Sequence, residues 1–172
     1  MANIESFSTF GLEPRRKLAF WNDRASESFS PLVSEPEDIR VFNGSIVRGS
    51  IGDMTVAEVY SDAQIVRHSR SHVARTMDSM FFLHLQLEDE SVSRQDGRES
   101  VLRVGDFTLC DGTRRDEMIF TGANRMLVLG IPNASPPFRY QECGPPAASC
   151  RSCCATIGAS VTRDWTRRPG AA

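Results

Sequence analysis

The stretch Gln95-Asp96-Gly97-Arg98-Glu99-Ser100-Val101-Leu102-Arg103-Val104-Gly105-Asp106-Phe107-Thr108-Leu109-Cys110-Asp111 decides the fold, because it sets two tight turns among very short strand-like runs. Asp96-Gly97 separates Ser91–Gln95 from Arg98–Leu102, and a two-residue Asp-Gly loop suits a type I′ hairpin, whose central residues both take φ > 0. Gly105-Asp106 then turns the chain again into Phe107–Cys110. Strands this short, reversed this often, close into a small barrel or sandwich, so the region presents an interior and not a flat face.

Outward from that stretch the period of two continues. Ser45–Ile51 and Met54–Tyr60 flank the compact turn Gly52-Asp53, and Gln64–His68 follows Ser61-Asp62. In Ser79–Leu87 the alternation puts Phe81, Leu83, Leu85 and Leu87 on one side, read as plain core, and Met80, Phe82, His84 and Gln86 on the other. Asp116–Phe120 and Asn124–Ile131 complete the strands, the latter apolar on both faces and therefore expected at the centre of a sheet. Before all of these, Leu18, Trp21, Ala25 and Phe29 recur at spacings of three and four, which predicts an amphipathic helix over 14–29 opened by Pro14. Ser30–Asp38, with Pro31 and Pro36, reads as a loop, and Ser69–Asp78 as a longer polar, exposed one.

At 172 residues the chain is about one domain, large enough for a true core. A net charge of −2 supplies no global basic field, so direct DNA binding by these residues is not expected. The first residues lack a basic flank followed by an apolar run, and the longest apolar stretch, Met126–Ile131, falls far short of the roughly 20 residues of a membrane span. A cytoplasmic location without membrane attachment is the expectation.

After Pro132 both periodicities vanish into Pro, Ala, Ser, Gly, Arg and Cys, a composition that buries too little apolar area to offset ordering entropy. The chain therefore divides into a folded domain, 14–132, and an irregular or disordered tail, 133–172. Cys143, Cys150, Cys153 and Cys154 lie in that tail; Cys-x-x-Cys is a zinc-ligand pair, but a second clean pair and an ordered frame are missing, and the thiols read as fortuitous.

Taken in order, several pieces between about Phe20 and Pro132 resemble the N-terminal sensor domain of AraC-family transcriptional regulators. They are the helix with Trp21, Gly44-Ser45-Ile46, Ile51-Gly52, Val56-Ala57-Glu58-Val59, Ile65-Val66-Arg67, Phe82 to Leu87, Gln95 to Glu99, Leu102, Gly105-Asp106, Leu109, Asp111 and Leu127 to Pro132. The resemblance implies a mostly β fold, a cupin-like jelly-roll β-barrel with an N-terminal helix. It also implies that the barrel binds a small effector and forms a homodimer, while a separate C-terminal helix-turn-helix region reads promoter DNA. Nothing after Pro132 has the long helical periodicity of such a region, so the expectation is a sensor half without its reader, with truncation or a frame shift near Asn133 as the hypothesis.

The candidate ligand-binding residues are Glu58, Tyr60, Met80, Phe82, His84 and Gln86, an apolar wall with a few polar tips. Their plainer reading is interior filling or exposure to solvent. Gly97, Arg98, Gly105 and Asp106 read as turn architecture, Arg114-Arg115 as a solvated turn, and Trp21 and Phe29 as core packing against the barrel. No catalytic residue, metal or cofactor is expected. Metal-binding cupins set two histidines one residue apart on a strand, whereas His84-Leu85-Gln86 puts glutamine in the second place, and His68 and His72 read as solvated loop residues. The alternatives are a stand-alone cupin enzyme with a metal in the barrel, and an interaction module whose interior is filled.

Overall fold

The computed structural model describes residues 4–76 and 79–133, and from residue 134 onward the tail and its cysteines lie outside them. The described elements are β1 (Glu5–Ser8), α1 (Pro14–Ser28), β2 (Val33–Pro36), β3 (Gly44–Ile51), β4 (Met54–Ser61), β5 (Gln64–His68), α2 (Arg70–Val73), β6 (Met80–Glu88), β7 (Ser91–Gln95), β8 (Arg98–Leu102), β9 (Phe107–Asp111), β10 (Asp116–Phe120) and β11 (Asn124–Pro132). The strands form two antiparallel sheets, one in the order β1-β3-β4-β11-β6-β9, the other β2-β5-β10-β7-β8. As its two apolar faces require, β11 is central, paired with β4 on one side and β6 on the other.

The turn chemistry is as the residues dictate. Asp96 (φ 52°) and Gly97 (φ 73°) both sit in the left-handed region, the type I′ signature, and hold Gln95 opposite Arg98. Arg103 to Asp106 closes through the Asp106 amide on the Arg103 carbonyl, and the Asp106 carboxylate accepts the Arg103 amide at 3.0 Å.

Three short elements depart from the sequence reading. β1 lies ahead of residue 14 and pairs with β3, β2 occupies part of the expected loop 30–38 and pairs with β5, and α2 is a helical turn inside the expected loop 69–78. Each spans only four residues, too few for a period to show, and β1 and β2 are held by partners distant in sequence. The Ser34 amide, for example, donates to Asn22 Oδ1 at 2.8 Å.

On α1 the buried stripe is Lys17, Trp21, Ala25 and Ser28, one position off the predicted stripe at its first and last members. Lys17 is buried because its Nζ donates to Asn43 Oδ1 at 2.8 Å while its stem covers apolar surface. Arg48 on β3 clasps the helix and the first strand together, reaching Glu5 at 2.7 Å, Glu27 at 2.9 Å and the Ser28 hydroxyl at 3.1 Å.

The core comprises two clusters. Trp21, Ala25, Phe42, Ile46 and Ala57 form one; Phe82, Leu102, Met118, Met126 and Val128 form the other, and the half-buried Phe29 and Val59 touch both. Trp21 organises the first cluster. Its ring lies over Gly44, where an added Cβ would stand 2.7–2.9 Å from three ring atoms. Gly44→Ala is expected to destabilise the protein by about 1–3 kcal/mol in chemical denaturation, because the indole has nowhere to retreat. A variant as stable as the parent would show that the ring is not wedged there.

Candidate functional site

Between the sheets lies a partly enclosed, mainly apolar cavity of about 90 Å³, several times the space one water needs. Its walls follow from strand register. On β5 and β10 the cross-strand pairs His68–Asp116, Val66–Met118 and Gln64–Phe120 all face it. The intervening residues carry an ion-pair ladder on the opposite face, in which Arg67 meets Glu35 and Glu117, and Arg94 meets Glu117 and Glu99. From the other sheet come Val59 and Ser61, Asn124, Met126 and Val128, Phe82 and His84, and Cys110; Trp21, Ala25 and Phe29 of the helix segment close one side.

Of the six candidate residues, Phe82 and His84 line the cavity. The other four do not. Glu58 and Tyr60 belong to the outward set of β4, where Glu58 pairs with Arg125 at 3.3 Å and Tyr60 stacks on Phe10 and donates to Asp62; Val59 and Ser61 take the inner places. Gln86 has no exposed surface, but its amide donates to the Glu88 carbonyl and its oxygen accepts from Ser91, both at 2.7 Å, so it anchors strands instead of facing the cavity. Met80 packs half-buried against the second core cluster.

The supposed plain-core side of β6 is likewise corrected. Phe81, Leu83 and Leu85 are registered against Ile131, Leu129 and Leu127, and only Leu83 of the β6 set is fully buried. With both faces of β6 apolar, its alternation alone carried no sign of which one was inside.

His68 is a correction of a different kind. It is 3% exposed, the last residue of β5, with Nδ1 2.5 Å from the Pro31 carbonyl oxygen and Nε2 without a hydrogen-bond partner among the described residues. Its position two residues after Val66 and four after Gln64 was the legible signal for an inward side chain. His72 instead joins the Ser69 capping of α2.

The polar groups divide into two ends. At one, Trp21 Nε1 lies 3.1 Å from Ser34 Oγ and 3.2 Å from Gln64 Oε1, and Gln64 donates on to Ser61 at 2.8 Å, a chain that ends in the two serine hydroxyls. At the other, Cys110 Sγ stands 3.7 Å from both Ser93 Oγ and His84 Nδ1. Burial pulls His84 down to about 4 and pushes the Cys110 thiol up to about 12, so near neutral pH imidazole and thiol are both uncharged. The thiol is thereby a weak nucleophile. Burial likewise pushes Asp116 up to about 7. Among the described residues, no group of three or more His, Cys, Asp or Glu side chains is placed to hold a metal ion.

The model of the AraC-binding-like domain matches residues 21–168. A curated relative from Bacillus sp. (strain OxB-1), an uncharacterized protein in the nit 5′ region, is 28% identical over 123 residues, 72% of this chain and 48% of its own length. The solved AraC-like transcriptional activator CuxR superposes with a TM-score of 0.66 at 13% identity, over 76% of this chain and 47% of that one. A cupin superfamily protein from Desulfitobacterium hafniense DCB-2 gives a TM-score of 0.41 at 14% identity, over 59% and 78%. The chain spans about half the length of the first two, and its two antiparallel sheets make the mostly β fold that the residues led one to expect. No helix among the described residues is long and apolar enough to cross a membrane.

Asp116 and His84 tilt stability in opposite directions. Between the ordinary 3.8 and about 7 the folded protein holds an Asp116 proton that the unfolded chain has lost, so this term falls as pH rises. Between about 4 and the ordinary 6.5 the unfolded chain holds the extra His84 proton, so that term rises with pH. Asp116→Asn removes only the first. Its stability relative to the parent should climb from pH 4 to about 7 and then level, by up to about 4 kcal/mol at 1.36 kcal/mol per pKa unit. Urea midpoints whose difference ignores pH would show that burial does not hold this proton.

Proposed function

Because the chain belongs to the AraC-binding-like domain family, we propose that it is a regulatory sensing domain that binds a small effector between its sheets and pairs with a second copy of itself. The observation that carries the reading is the cavity, an apolar space with a few placed polar groups, bounded by both sheets and by α1. A guest that prefers one packing of helix on barrel shifts the population toward it, by no more than its differential affinity. In this proposal promoter contact falls to residues outside the barrel, consistent with the chain's net charge of −2.

The site is proposed as binding and not catalytic. The support is chemical: its thiol is held protonated and the adjacent imidazole neutral, so neither is an activated nucleophile or a poised base near neutral pH. The rival, a cupin enzyme, expects stoichiometric metal, and elemental analysis giving about one metal ion per chain would replace the sensing reading.

Thermal-shift screening of the full chain against uncharged and charged metabolites tests the proposal. A true guest at a hundred times its Kd stabilises the folded state by about 2.7 kcal/mol. Ala25→Leu, which fills the cavity from α1, should abolish the shift; a shift that survives it places the guest elsewhere. Light scattering is expected to give twice the chain mass of 19.1 kDa, and a single-chain mass would remove the pairing part of the proposal.

A further inference from the structure

We infer that the cavity takes an uncharged, mainly apolar small molecule whose hydroxyl or N–H group donates a hydrogen bond to His68 Nε2, an inference that rests on the sensing reading above. The ring is fixed by its other nitrogen. A carbonyl oxygen can only accept, so Nδ1, 2.5 Å from the Pro31 carbonyl, must carry the hydrogen, and in that tautomer Nε2 is a bare acceptor. That atom is buried and has no hydrogen-bond partner among the described residues, on a side chain that lines the cavity, an arrangement that a folded protein rarely leaves unanswered.

The other polar groups around the space are largely occupied. Trp21, Ser34, Gln64 and Ser61 are joined by three hydrogen bonds, and Asn124 Nδ2 donates to the Glu88 carbonyl at 3.4 Å. His68 therefore asks for a donor that the protein does not supply. The body of the guest faces Phe82, Phe120, Met118 and Val128, which favours a single ring or a branched alkyl group. A charged head fits poorly. An anion would find no arginine or lysine among the lining residues, and a cation would be stripped of water with Asp116, the cross-strand partner of His68, as the one carboxyl among them.

Phenol, toluene, benzoate and benzylamine are matched probes of this inference, titrated calorimetrically into the full chain at pH 7.5. Phenol is expected to bind at least about tenfold more tightly than toluene, since toluene leaves the acceptor unanswered. His68→Leu should reduce that preference to about twofold or less. Should His68→Leu fail to fold, nitrogen-15 NMR of the unaltered protein decides: the His68 Nε2 resonance should move with phenol and stay still with toluene. Equal affinity for phenol and toluene with an unmoved resonance overturns the inference but leaves the cavity as an effector site, as does tightest binding of benzoate or benzylamine. If none of the four binds and the metabolite screen is also blank, the sensing reading itself falls and takes this one with it.

Discussion

The position of the Trp21 indole is the constraint on which the rest depends. Its Nε1 bonds to Ser34 and Gln64 of one sheet, while its ring lies on Gly44 of the other and meets Phe42 edge-on at 5.7 Å between ring centres. One side chain thereby joins α1 to both layers. A buried indole loses its N–H to the interior unless an acceptor is supplied, and here two are, so the large apolar area of the ring is buried without an orphaned donor. Without Trp21 the helix would keep the Arg48 clasp, a partly exposed ion-pair network of modest worth, and lose its deepest anchor.

The two faces of the smaller sheet show how alternation separates labour. Outward residues carry the ladder from Glu35 through Arg67, Glu117 and Arg94 to Glu99, all of it near water, where such pairs are inexpensive to form and screened by salt. Inward residues on the same strands meet the low-dielectric interior. There Asp116 is held toward its neutral form by burial, whereas its neighbour Glu117, one residue along, is held ionised by Arg94 and Arg67 despite a partial loss of hydration. Adjacent carboxyls are thus shifted in opposite directions, one by burial and the other by its two arginines.

Much of this was legible in the residues. Asp96-Gly97, Gly52-Asp53 and the period-two runs place β3 to β11 to within a residue or so, because turn chemistry and alternation are local properties. Elements of four residues were not legible, since β1 and β2 exist through pairing with distant strands. The site was half legible. Phe82 and His84 line the cavity, whereas Glu58 and Tyr60, chosen for their polar tips, do not, because the register, invisible in the sequence, turns Val59 and Ser61 inward. His68 was missed because the polar residues after it extended the apparent loop backward over the end of β5.

The Phe82 ring carries a last consequence. It lies against Gly112, where even a methyl group would come within 2.8 Å of the ring, and it meets Phe29 edge-on at 6.3 Å just beyond the helix end. The sheet side of the chamber is therefore stiff, braced by strand pairing on both flanks of β6, while the side formed by α1 rests on side-chain contacts alone. Under the sensing proposal, an occupant too bulky for the space would press on α1, where only side chains resist it, before it could part the paired strands around β6.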